Sequence, residues 1–227
     1  MNYLVIGLLL ILIIVLYYIY YYFTNTSLIS DLRELKSPIT KPYQDLIQPA
    51  AITYSYQCWL YLSAPTSVST PLFSRGDGID NEFEVDLSGQ QLVLKGGTGS
   101  TGTKPTQIMV ITNNFPIQKW TYLVINVLNL STFEAYVNGK LVKTVNVSNS
   151  ASYKPNSKMS NLIIGNTASS GYVTKFTRTA SSMDAKDVWK TYLNGNGLNN
   201  FFSTLIPYGL TMSVANGEDV QRIFQLF

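Results

Sequence analysis

An uncharged apolar run near the start, Tyr3 to Phe23 (YLVIGLLLILIIVLYYIYYYF), constrains this chain more than any other feature. The first charged side chain of the sequence is Asp31. At ~1.5 Å rise per residue, about 21 residues make a helix of roughly 31 Å, the thickness of a bilayer's hydrocarbon core. Leu4, Ile6, Leu9, Ile13 and Leu16 belong to its aliphatic two thirds, and Gly7 is its only small residue. Tyr17, Tyr18, Tyr20, Tyr21 and Tyr22 crowd one end, where amphipathic rings sit at headgroup depth. A core helix so uniformly apolar would be shorter and would need a large protein around it. The expectation is one transmembrane helix over residues 1–23. A cleaved signal peptide fits worse. Nothing basic precedes the run, it exceeds the ~7–15-residue apolar core of such peptides, and Tyr-Tyr-Phe stands where a small-residue cleavage site belongs.

The flanks bear on orientation. Arg33, Lys36 and Lys41 lie on the C-terminal side of the run, which favours a cytosolic domain by the positive-inside rule, although Asp31 and Glu34 blur the local charge. A single cysteine, Cys58, allows no internal disulfide and suits a reducing compartment. Three glycosylation-type triplets beginning at Asn25, Asn129 and Asn146 point the other way. Such triplets arise often by chance in a chain rich in Asn, Ser and Thr.

Composition then removes several chemistries. A net charge of +3 without any run of Lys or Arg leaves no nucleic-acid footprint. The absence of histidine takes away the commonest general base and the commonest metal ligand. With one cysteine besides, zinc centres and Cys-His or Ser-His-Asp nucleophiles are excluded, and no cofactor is expected.

Residues 24–50, interrupted by Pro38, Pro42 and Pro49, read as a semi-rigid tether. From Ala51 the hydrophobic period becomes two. Ile52, Tyr54, Tyr56, Cys58, Leu60 and Leu62 alternate with Thr53, Ser55, Gln57, Trp59 and Tyr61. This predicts a long strand whose first set faces a core, with Cys58 a small buried hydrophobe. Phe83, Val85 and Leu87 alternate with Glu82, Glu84 and Asp86, and residues 96–106 read as a flexible loop. Asn138-Gly139 between two apolar runs is a type I′ hairpin signal. Asp184 suits an N-cap, with Asp187 at the third helical position and Val188 and Tyr192 on one face. Val220, Ile223, Phe224 and Phe227 recur at helical spacing. They predict an amphipathic helix over 216–227, docked on its own domain or serving as a partner-binding tail. About ten short strands with so little helix mean a mainly β chain, an antiparallel two-sheet jelly-roll sandwich over residues 51–215.

The order of motifs carries a resemblance. Ser55-Tyr-Gln-Cys-Trp59, Leu72-Phe-Ser-Arg75-Gly-Asp77, Lys119-Trp120-Thr-Tyr, Glu134-Ala-Tyr136-Val-Asn138-Gly139, Leu162-Ile-Ile-Gly165-Asn166 and Met183-Asp-Ala-Lys-Asp-Val-Trp follow one another. Together they resemble the concanavalin A-like sandwich family, in its laminin-G-like and pentraxin-like branch, from residue 51 to about 197. The resemblance implies the fold more firmly than a function. Members bind glycans or proteins, often through calcium, and some hydrolyse glucans. Asp77, Asp80 and Asn81 form a loose acidic cluster with no matching second one, so calcium is not expected. Glu82, Glu84 and Asp86 have the alternating spacing of the hydrolase branch, but Glu84 stands where that branch has its central Asp. Their bland reading is a solvated strand face. Trp59, Tyr61, Trp120 and Tyr122 face away from the core set and form either a glycan or partner platform or an inner packing surface.

Three functions follow. The favoured one is a non-enzymatic, membrane-anchored structural protein joining a bilayer to a protein lattice. In that respect the chain looks like minor capsid proteins of large DNA viruses with an internal membrane. A membrane-anchored lectin or adhesin that binds glycans is the alternative, and a glucan hydrolase comes third.

Overall fold

The computed structural model describes residues 7, 9–17, 27–29, 31–76, 83–96, 106–129, 131–147, 160–196, 211–216 and 219–225. The alternation after Ala51 becomes β4 (Tyr54–Leu62), a strand inside a seven-stranded antiparallel sheet. Its companions are β1 (Ser27–Ile29), β2 (Arg33–Glu34), β9 (Trp120–Val127), β10 (Thr132–Val137), β11 (Lys140–Asn146) and β13 (Gly171–Thr179). They run in the order β1-β13-β4-β9-β10-β11, with β2 also on β13. A second sheet holds β3 (Ile39–Lys41), β5 (Thr66–Arg75), β6 (Phe83–Gly89), β7 (Gln91–Gly96), β8 (Thr106–Thr112) and β12 (Leu162–Ile164). Its order is β3-β12-β5-β6-β7-β8.

The core lies between the two sheets. Tyr54, Tyr56, Cys58, Leu60 and Leu62 meet Phe73, Phe83, Val85, Leu87, Leu92 and Leu94 across it. Each such side chain, fully removed from water, contributes about 1.5–3 kcal/mol. Burial pushes the Cys58 thiol well above its ordinary pKa. The inward alternation stops short of Ile52, which is 58% exposed because the chain bends at Ile52-Thr53 before β4 begins. At the β4 entrance a fully buried arginine, Arg178, lies 5.1 Å over the Tyr54 ring and donates from Nη1 to the Ile47 carbonyl.

Two expectations change. The predicted tether is part of the sandwich: β1 and β2 pair with β13, while β3 pairs with β12. Both sheets would otherwise end in an open edge on this side, and short strands fitted around Pro38 and Pro42 close it. Leu35 is buried between them; its amide donates to the Gly171 carbonyl and its carbonyl accepts from Asn166 (2.9 and 2.8 Å). The predicted C-terminal helix is a hairpin, β14 (Thr211–Asn216) with β15 (Asp219–Gln225). Val220, Ile223 and Phe224 lie on β15, and Phe227 is outside the described residues. Asn216 pairs with Asp219, and the glycine that follows Asn216 in the sequence is a turn signal that outweighs four apolar residues at helical spacing. At the N-terminus, Gly7 and Leu9–Tyr17 are helical. No helix among the described residues is long and apolar enough to cross a membrane. Leu4, Ile6, Tyr18, Tyr20, Tyr21 and Tyr22 lie outside the described residues.

Candidate functional site

Three surfaces bring chemistry-bearing residues together. The first is the outer face of the second sheet. Strand alternation turns Glu84 and Asp86 outward there, opposite the core-facing Phe83, Val85 and Leu87. Contrary to a solvated strand face, they are only 7% and 2% exposed. Register explains why: Glu84 pairs with Lys95 across the turn that joins β6 and β7. Lys95 Nζ lies 3.4 Å from Glu84 Oε1, ion-pairs with Asp86 Oδ2 and donates to Ser69 Oγ at 3.1 Å. Burial alone would lower the Lys95 pKa, but the hydrogen bond and charge of Asp86, with those of Glu84, outweigh it and hold the ammonium above its ordinary range. Glycoside hydrolysis divides acid and nucleophile roles between unequal carboxyls. Here both carboxylates are instead held by one lysine. Glu82, Asp77, Asp80 and Asn81 lie outside the described residues, and among the described residues no group of acidic, Cys or His side chains could hold a metal ion.

The second surface is the outer face of the first sheet. Trp59 and Tyr122 do turn away from the main core, but they are buried under the helix Ala185–Leu193, here α1. Asp184 caps that helix, its carboxylate accepting from the Lys186 amide at 2.8 Å. Val188 and Tyr192 face the sheet, and Tyr192 stacks on Trp59 with ring centroids 5.8 Å apart and planes 18° apart. Two of the four platform residues are therefore inner packing. Tyr61 and Trp120 remain half-buried, 5.6 Å apart, and Tyr61 also meets Tyr172 at 6.3 Å. Beside Tyr172 opens a cleft of about 190 Å³ bordered by Glu34, Lys36, Ser63 and Ser170.

The third surface is β11, the last strand of the first sheet. Six of its seven residues are exposed, Leu141 and Val142 by 52% and 42%. Trp189 (43%) and Leu193 (64%) of α1 add apolar surface, and Trp189 sits against the β10–β11 turn at Gly139. Lys95, Tyr172 and this edge were missed from sequence. For Lys95 a signal existed: counting in register from the turn at Gly89 brings Glu84 opposite it.

Residues 39–197 match the profile of the concanavalin A-like lectin/glucanases superfamily, laminin-G-like, over well more than half of the chain. The chain belongs to this superfamily. Among solved structures, the superfamily sandwich is similar to the binding domain of botulinum neurotoxin serotype G, at 16% identity and a TM-score of 0.55, covering 75% of this chain and 46% of that one. The receptor binding domain of the C/D mosaic serotype gives 12% identity, a TM-score of 0.57 and coverages of 73% and 43%. The binding domain of neurotoxin DC, solved in complex with rat synaptotagmin II, gives 14%, 0.52, 69% and 39%. At these identities the likeness is one of fold, and the chain spans less than half the length of those domains. No curated protein matches the sequence.

Proposed function

We propose that this protein is a non-enzymatic, membrane-anchored binding module whose sandwich links a bilayer to a neighbouring protein of a larger assembly, such as the shell of a virion. The observation that carries the reading is the edge of β11, which pairs with β10 alone among the described strands, with Leu141, Val142, Trp189 and Leu193 beside it. Exposed strand edges take a further strand through main-chain hydrogen bonds, and neighbouring apolar side chains select the partner. The anchor is supported by the described helical stretch: Leu9 to Tyr17 are each 46–64% exposed, so this apolar helix turns no side toward the domain. An all-round apolar helix fits lipid. The Lys95 bridge supports the absence of hydrolysis. A photo-crosslinker at Val142 of the full-length protein in its native membrane tests the reading. The expected result is one discrete protein adduct, lost in L141D; no adduct at Val142 refutes the linker.

A glycan-binding role is the second reading, favoured by the Tyr61, Trp120 and Tyr172 cluster, whose Tyr172 borders the small cleft with Glu34 and Lys36. The named relatives, binding domains that include one in complex with a protein receptor, suit either partner class. Binding of the detergent-solubilised chain to a glycan array, abolished by W120A, would favour this reading over the first.

A further inference from the structure

The direction in which the chain enters the first sheet says which end of the sandwich meets the bilayer. Only Thr24, Asn25 and Thr26 separate Phe23 from Ser27. Fully extended, that connection spans at most about 14 Å. Ser27 pairs with Thr177, Ile29 with Phe176, and β2 then pairs with Val173 and Tyr172. The chain therefore travels along β13 from its Thr179 end toward its Gly171 end, and it arrives from the side where β13 finishes and β4 starts. Through Thr177, Ser27 stands level with Gln57, and β4 begins three residues earlier at Tyr54. Those residues extend the sheet by roughly 10 Å toward the apolar run. The end of the sheet reaches nearly as far as the connection can.

On the first-sheet side that end is free of charge, whereas on the second-sheet side the β5–β6 connection, which returns at Phe83 with its ring 6.2 Å from that of Tyr54, contains Asp77, Asp80 and Glu82. The segment 46–53 before β4, the connection 128–131 from β9 to β10, and residues 179–183 after β13 contain no charged side chain. Ile52 is 58% and Ile47 37% exposed there. The opposite end carries Glu34, Lys36 and Lys119. The uncharged segments are also braced. Thr53 Oγ1 donates to the Leu128 carbonyl at 3.0 Å, and Asn126 Nδ2 to the Met183 carbonyl at 2.9 Å. Ser55 and Thr179 share a 2.5 Å hydroxyl contact.

From the short connection and the uncharged, apolar-tipped segments of the first sheet, we infer that the sandwich rests on its own bilayer through the first-sheet tips Ile47 and Ile52, with the Tyr61–Trp120–Tyr172 end directed away from it. This rests on the anchor reading above. The occupant of the surface is the lipid interface that receives Phe23, because the three-residue connection holds this end close to it. Rigid apolar tips at headgroup depth add buried area to the anchor and hold the domain in one orientation.

The test uses the full-length protein in phospholipid nanodiscs. Single cysteines at Ile52 and Ala64, positions separated by the nine-residue β4, carry an environment-sensitive fluorophore; Cys58, 1% exposed, stays unlabelled. Lipids bearing a headgroup nitroxide are expected to quench I52C several-fold more than A64C, and I47D combined with I52C is expected to reduce that difference. Equal quenching at the two positions in a protein that resists alkaline carbonate extraction overturns the orientation alone. Release by carbonate overturns the anchor, and the orientation with it.

Discussion

A Cβ built on Gly139 would stand 2.7 Å from Trp189 Cε3 and 3.1 Å from Tyr192 Cδ1. Gly139 also has φ +78°, after Asn138 at φ 51°, the pair of positive angles a two-residue hairpin turn requires. The tip of the β10–β11 hairpin and the helix that seals the aromatic face are thus fitted to one another at a position where only hydrogen fits. The same helix leaves Trp189 half-exposed next to β11, so the contact also shapes the proposed partner surface.

Replacing Gly139 with Ala adds both a backbone penalty and a clash. Gly89→Ala is the control, because Gly89 has φ +63° with nothing within 4 Å of the added Cβ. We expect G89A to cost about 1 kcal/mol and G139A about 2–3 kcal/mol. Denaturant unfolding of the full-length protein in detergent micelles reads the difference, and equal losses would remove the Trp189 contact from the account.

Lys95→Met takes the cation from Asp86, which is 2% exposed. An uncompensated buried carboxylate of this kind costs ~3 kcal/mol. Replacing Asp86 as well, as in K95M/D86L, should recover part of that loss, because apolar groups then fill that space while Glu84 still lacks its lysine. A double variant as unstable as the single one would show that the ion pair is not what holds this face.

Alkali should unfold the protein earlier than acid-base considerations for exposed groups suggest. Burial holds Tyr136 up to about 12, assisted by its hydrogen bond to Glu134. Cys58 and Lys95 are raised too. A raised folded-state pKa means that the native state keeps its proton longer than the unfolded chain. The contribution is therefore complete below the unfolded value and disappears as pH climbs through the folded one. Stability should decline from about pH 9, where the unfolded thiol ionises, and further beyond 10 as tyrosine and lysine follow. In the native state at pH 8, Cys58 should resist alkylation until denaturant is added; rapid modification would contradict its burial.

The glycosylation-type triplets give a further check. Asn25 lies between Phe23 and Ser27, and Asn129 lies in the uncharged β9–β10 connection. Asn129 already uses its side-chain oxygen to accept from the Ser131 and Thr132 amides at 2.8 and 2.7 Å. A glycan at either site would be pressed between domain and bilayer. Neither asparagine should be glycosylated in the native host, and peptide mass spectrometry after glycosidase treatment should find both unmodified.

Strand alternation made most of the sandwich legible. Tyr54 to Leu62 and Phe83 to Leu87 show period two, Asn138-Gly139 announces its own turn, and Asp184 its own helix cap, because each signal is local. What failed had a competing local signal or no local signal at all. The spacing of Val220, Ile223, Phe224 and Phe227 imitates a helix, while Asn216-Gly217 nearby specifies a hairpin. Prolines marked residues 24–50 as a connector, yet two open sheet edges drew β1, β2 and β3 into the fold.

By itself, then, the sequence determined an apolar N-terminal run, an antiparallel β-sandwich with Cys58 inside it, and a chemistry without histidine. Tertiary structure alone decided that Trp59 and Tyr122 lie under a helix, that Lys95 joins Glu84 to Asp86, and that the chain enters along β13 from its Thr179 end. The reason is physical: alternation and turn residues are encoded over a few neighbouring positions. Which face a distant helix covers, and which edge a connector fills, depends on surfaces that exist only once both sheets have formed.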